Sequence, residues 1–189
     1  LKAKRLLFSC DGGPTRALIF ARSTGRVYFT RGTEGNLFRY DPEKGGAPER
    51  LDAKLGLRAA THETPSGAVY TVSQEGEATL WRFDTKSEKA ESLASAVIGS
   101  QTYVAALDAD PTGRFLYYVP GADSGSARDG APVVQFDVQE KRFKVIAFLY
   151  PFFREKVGYI PVGTFSLAVA PTGDKLYVTW NGSFGAMRG

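Results

Sequence analysis

Short apolar runs alternate with turn residues along this chain, and the runs repeat. Val27-Tyr28-Phe29-Thr30, Val69-Tyr70-Thr71-Val72 and Phe115-Leu116-Tyr117-Tyr118-Val119 each follow a glycine, Gly25, Gly67 or Gly113. Such β-branched and aromatic side chains suit a half-buried pleated strand. Each run is followed by a phrase that ends in an aromatic residue and Asp: Leu37-Phe38-Arg39-Tyr40-Asp41, Leu80-Trp81-Arg82-Phe83-Asp84 and Val133-Val134-Gln135-Phe136-Asp137. A fourth opening half, Pro171-Thr172-Gly173 with Leu176-Tyr177-Val178-Thr179-Trp180, has no such phrase after it. No stretch shows helical periodicity.

With a further apolar run before each turn glycine and a polar run after each Asp turn, one repeat reads as four antiparallel strands in a meander. The units fall near residues 16–51, 58–93 and 103–149, with a partial unit at 164–182. Their turn glycines stand 42, 46 and 60 residues apart. Four-stranded units at a period of about 40 to 50 residues are the signature of β-propeller blades. A β-sandwich competes on strand content, but it does not require the same turn and the same aromatic-Asp phrase three times. The predicted fold is therefore all-β, a propeller region of about three and a half blades. Because the repeat breaks off in its fourth copy, the sequence predicts a piece of a larger propeller of roughly six to eight blades. The run Leu6-Leu7-Phe8 reads as one more strand, outermost in a blade.

Where the repeats differ locates a face. The third unit is longer between its second and third strands, over residues 121–130, and again between units, over residues 151–161. In a meander both connections emerge on the same side, and insertions gathered on one face mark the binding side of a repeat protein. Counting nine residues back from the four turn glycines gives Arg16, Arg58, Val104 and Thr164, all entering the inner strands from that face. Two arginines at equal positions predict a positive channel mouth for a carboxylate, phosphate or acidic sugar, since guanidinium grips such groups with paired hydrogen bonds. Tyr103, which opens the third inner strand, belongs to the same mouth. Phe153, Arg154, Lys156 and Tyr159 form an aromatic and basic loop, suited to stacking on a sugar ring or to a protein partner.

Composition narrows the classes. Lys and Arg exceed Asp and Glu by 24 to 20 without a basic run, which speaks against nucleic acid or an acidic membrane surface. A single cysteine, Cys10, excludes an internal disulfide and a cysteine-rich metal site. No apolar stretch approaches the roughly 20 residues of a membrane-spanning helix. The expectation is a soluble chain, periplasmic or secreted if a leader once preceded Leu1.

Other chemistry-bearing residues read as structural. His62, the one histidine, sits five residues before its turn glycine, in the half of the strand away from the insertions, and its neighbour Glu63 points to the opposite strand face. Asp108 and Asp110 share a strand side, but Asp110 opens a Pro-Thr-Gly turn, where Asp is favoured for its bonds to backbone. Asp41, Asp84 and Asp137 recur at turns as well. No metal-ligand set emerges from spacing.

The near-identical Pro111-Thr112-Gly113-Arg114-Phe115-Leu116-Tyr117 and Pro171-Thr172-Gly173-Asp174-Lys175-Leu176-Tyr177 stretches resemble bacterial lactonase-like and gluconolactonase-like β-propellers, over most of residues 16–182. That resemblance implies a lactonase, sugar-acid hydrolase or lyase at the channel mouth, with a divalent cation held by acidic and amide side chains. Streptogramin-lyase-like propellers, which use a catalytic His, are a second likeness. The residues themselves favour a module that binds an anionic small molecule, a sugar acid or a protein partner through the loop-rich face.

Overall fold

In the computed structural model, which describes residues 15–31, 35–73, 78–99, 101–121 and 130–184, the meanders are present as read. Blade one is β1 (Thr15–Ala21), β2 (Arg26–Arg31), β3 (Asn36–Tyr40) and β4 (Glu49–Lys54). Blade two is β5 (Ala59–Ala60), β6 (Ala68–Val72), β7 (Thr79–Asp84) and β8 (Lys89–Ser95). Blade three is β9 (Tyr103–Ala109), β10 (Phe115–Gly121), β11 (Pro132–Asp137) and β12 (Arg142–Phe148). Each forms an antiparallel four-stranded sheet in chain order. A helix α1 (Leu149–Val157) then leads to a two-stranded sheet of β13 (Tyr159–Val169) and β14 (Leu176–Phe184). The Leu6–Phe8 run and most of the 121–130 insertion lie outside the described residues.

The blades stack through successive apolar layers. Ile19, Ala21, Tyr28 and Leu37 of blade one meet Val69 and Phe83 of blade two. Tyr70 and Leu80 of blade two share a second cluster with Leu107, Leu116, Val134 and Phe136 of blade three. Val119 and Val133 of blade three pack with Leu167, Leu176 and Val178 in a third. Each layer therefore joins one blade to the next, as a repeat fold requires.

The aromatic-Asp phrases serve both these layers and the turns. The aromatic residues Tyr40, Phe83 and Phe136 are buried. Each following Asp turns back to accept backbone N–H groups of the β-turn it opens: Asp41 from Glu43 and Lys44, Asp84 from Lys86 and Ser87, Asp137 from Gln139 and Glu140. Asp137 also takes a fork from Arg114 at 3.1 and 2.7 Å, the leading cause that holds its carboxyl below the usual range. At Asp41 and Asp84 the turn N–H groups are the leading cause of the same shift. The structural reading of the repeated aspartates holds.

Two boundaries differ from the sequence reading. Residues 149–157 form a helix, not a loop, and Tyr159–Pro161 already belong to β13. The helix satisfies its ends without a side-chain cap. Leu149 and Tyr150 donate their N–H groups to the carbonyls of Ala131 and Gly130, Pro151 needs no donor in a first turn, and Gly158 closes the other end in the left-handed region. No residue of this helix is buried, so no apolar stripe announced it. The first-turn bonds tie α1 to the end of the 121–130 insertion, so both insertions do meet on one face.

Candidate functional site

On the insertion-bearing face, Arg58 precedes β5, and its N–H bonds the carbonyl of Val72. Its guanidinium stands 4.3 Å from the centre of the Tyr103 ring, across the junction of blades two and three. The ring in turn lies against Gly121, its strand partner, where a Cβ would come within 2.6 Å of ring carbon. Only glycine allows this stack. Among the described residues Arg58 pairs with no carboxylate, so its hydrogen-bond donors remain for a ligand.

Arg16 does not match Arg58 as the counting implied. A bulge between Arg16 and Leu18 shifts the register, so Arg16 pairs with Thr30, five residues past Gly25. Arg58 bonds Val72 from a segment without such a bulge, opposite the strand that follows Gly67. One extra residue breaks the alternation of strand faces, so equal distance from a turn glycine does not make two side chains level.

The remaining predicted residues gather around α1. Phe153 packs between Phe152, at 5.1 Å, and Trp180 of β14, at 4.6 Å between ring centres. Arg154 lies 5.8 Å from the Tyr150 ring, and Lys156 is exposed in the last turn. Tyr159 opens β13, which packs on β9, the strand that Tyr103 opens. Phe153 is thus part of the seat of the helix, while Arg154 and Lys156 carry the charge.

The opposite face, at the inner hairpin turns, holds a second constellation. His62 Nδ1 lies 2.9 Å from Asp108 Oδ1 on the neighbouring blade. Asp108 also accepts N–H bonds from Ala109 and, through Oδ2, from Val169 of β13, each at 2.9 Å. One carboxylate therefore links three inner strands. Glu63 turns away from His62 and receives the Ser23 N–H, the Ser23 hydroxyl and the Thr85 hydroxyl at 2.8, 2.6 and 2.6 Å. Burial opposes ionisation of Glu63, but these donors outweigh it and leave the carboxyl below its ordinary range. Between the two lies a groove of ≈ 740 Å³ that Arg22, His62, Glu63, Asp108 and Pro171 help to line.

His62 was placed correctly by the sequence, but its carboxylate partner is Asp108 and not the adjacent Glu63. The missed signal was positional: His62 and Asp108 both stand five residues before their own turn glycines, Gly67 and Gly113, so adjacent blades present them side by side. Asp110, by contrast, bonds the Thr112 hydroxyl and the N–H groups of Thr112 and Phe115, a turn role. Among the described residues no group of three or more His, Cys, Asp or Glu could hold a metal ion.

No protein-family model and no curated protein matches this sequence. Solved structures do match by shape. A chain of a nidogen/laminin complex superposes with a TM-score of 0.60 at 13% identity, over 90% of this chain and 58% of that one. The Cps50 (Swd1) β-propeller domain of Myceliophteria thermophila gives 0.62 at 13% identity, over 90% and 50%. Hydrazine synthase of Kuenenia stuttgartiensis gives 0.57 at 11%, over 85% and 40%. The chain spans roughly half the length of these structures. With its antiparallel four-stranded sheets packed in series, the chain has the β-propeller fold.

Proposed function

We propose that this chain is a propeller binding module whose insertion-bearing face takes an anionic ligand, an acidic protein segment or a sugar acid. The observation that carries the reading is Arg58, stacked on Tyr103 and without a carboxylate partner among the described residues. A ring beneath a guanidinium fixes its plane while leaving its N–H fork for a carboxylate. Arg154 and Lys156 on α1 extend the positive field, and Arg16 belongs to the same mouth. The nidogen/laminin structure is titled as a protein complex, which agrees with a partner-binding role.

The test is titration with poly-L-glutamate and with an oligogalacturonate. Saturable binding that weakens with salt is expected, about tenfold weaker for Arg58→Ala and weaker still with Arg16→Ala added, while Arg58→Lys recovers only part of it. Equal affinity in the wild type and the Arg58→Ala/Arg16→Ala double variant would remove the positive-mouth reading.

A second reading rests on the His62–Asp108 pair and its groove. Asp108 accepts a hydrogen bond from Nδ1–H, which leaves the Nε2 lone pair as a base toward a bound substrate. That suits a hydrolase or lyase, the lactonase suggested by the Pro-Thr-Gly repeats included. The described residues do not assemble the cation cup of such enzymes, so any proton transfer here is assigned to His62 itself. Turnover of δ-gluconolactone that survives a chelator and disappears in His62→Ala favours this second reading; saturable binding without turnover favours the module.

A further inference from the structure

We infer that the outer edge of β14 is a strand-addition site for an extended partner segment carrying an aromatic residue followed by Asp. This does not rest on the Arg58 reading. In blades one to three the second strand is paired on both sides: β2 lies between β1 and β3, β6 between β5 and β7, β10 between β9 and β11. Their counterpart β14 pairs with β13 alone among the described residues. The edge from Leu176 to Trp180 carries no charge, no Pro and no Gly, none of the devices that blunt an exposed strand. An uncharged edge with open N–H and C=O groups is a template for β-augmentation.

The repeats specify what fits. In each complete blade the aromatic of the third strand sits opposite a fixed residue of the second: Tyr40 opposite Val27, Phe83 opposite Val69, Phe136 opposite Leu116. The hairpin of β13 and β14 has the same turn register as that of β9 and β10, with Val169 opposite Leu176 as Ala109 is opposite Leu116. Leu176 is therefore the seat for an added aromatic, with Asp one residue further on.

A second observation points to that aromatic. Tyr28, Tyr70 and Tyr117 are equivalent tyrosines on the second strands of blades one, two and three. Tyr28 is 0% exposed, with Phe83 of the following blade edge-on at 4.9 Å, and Tyr70 is 4% exposed in a cluster that includes Phe136 of the following blade. Tyr117 is only partly buried, packed with Leu176 and Val178 of β13–β14's sheet but without a third-strand aromatic over it. The partner's aromatic would complete that layer by covering Tyr117.

The probe is a labelled ten-residue peptide with the sequence of residues 79–88, Thr-Leu-Trp-Arg-Phe-Asp-Thr-Lys-Ser-Glu, followed by fluorescence anisotropy. One-to-one saturable binding is expected. Replacing its Phe by Ala should weaken binding at least about tenfold, and Tyr117→Ala in the protein should weaken the parent peptide by a similar factor. Should Tyr117→Ala fail to fold, the peptide substitution alone decides. Absence of saturable binding, equal affinity of the Phe→Ala peptide, or a dimer in sedimentation that the peptide does not dissociate would overturn the inference.

Discussion

Glu88 is the charge that fastens blade two to blade one, and its removal is the sharpest test of how the blades are held. It occupies the turn after β7 and accepts hydrogen bonds from Arg26 at 3.0 Å, from Arg39 at 2.9 and 2.7 Å, and from the Tyr28 hydroxyl at 2.9 Å. Its side chain is 18% exposed, against 27% and 23% for the two arginines. A fully buried pair broken from one side costs about 3–5 kcal/mol, whereas exposed pairs contribute under about 1. This intermediate exposure places Glu88→Ala at a loss of about 2–3 kcal/mol, and Glu88→Gln, which keeps the shape, at about 1–2. Tyr28 retains the Thr85 carbonyl at 3.2 Å and is not orphaned. Glu88 also sits at φ 58, in the left-handed region, so Glu88→Gly should be more stable than Glu88→Ala by about 1 kcal/mol. Burial opposes the charge of Glu88, but the bonds from Arg39 and Tyr28 outweigh it and lower the pKa from 4.5. A depressed carboxylate contributes fully above its unfolded pKa and loses that contribution as pH falls through the folded value. Urea unfolding across pH 3 to 7 should therefore show a steeper acid loss in the wild type than in Glu88→Gln. Burial, with Glu88 next, raises the Tyr28 phenol to about 12, and this ionisation should move down in Glu88→Gln. Equal stability of wild type, Ala and Gln variants at pH 7 would refute the reasoning.

Three further outcomes are expected. Tyr118 is completely buried with no hydrogen-bond partner for its hydroxyl, which burial alone pushes far above its ordinary pKa, so Tyr118→Phe should be neutral or stabilising by about 1 kcal/mol in a urea titration. Gly113→Ala meets both a φ of +75 and the Thr64 side chain at 2.7 Å and should cost about 2–3 kcal/mol, whereas Gly25→Ala, at φ +70 in open space, should cost only about 1; similar losses in thermal unfolding would contradict the contact. Asp108→Asn removes the acceptor that holds Nδ1–H, so nitrogen NMR of His62 should show its tautomer balance change, while an unchanged spectrum would deny the pair.

The sheets were legible because their residues repeat a local rule: β-rich run, turn, aromatic, Asp. That rule is set by neighbours in sequence and by one packing layer, so it survives without knowledge of the whole. The helix was not legible, since Leu149–Val157 buries no residue and is begun by hydrogen bonds to Gly130 and Ala131, tertiary partners that no pattern in those nine residues reveals. Arg58 and Tyr103 were singled out separately and meet in space, but Arg16 was mislevelled by a bulge that composition does not announce. The His62–Asp108 pair required comparing two blades at one position, a step that looks across repeats and not along a strand.

The serial layering of the blades has a kinetic consequence. The cross-blade bonds of Ser23 to Glu63, His62 to Asp108, Val169 to Asp108 and Arg26 to Glu88 span 40, 46, 61 and 62 residues, so each closes a loop of one repeat and never of the whole chain. Loop-closure entropy then grows by addition of similar steps instead of one long-range search. Amide exchange should be slowest in β6 and β10, each flanked by a blade on both sides, and quickest in β14. A molecule built this way comes apart from its ends, like a stack of cards lifted one at a time.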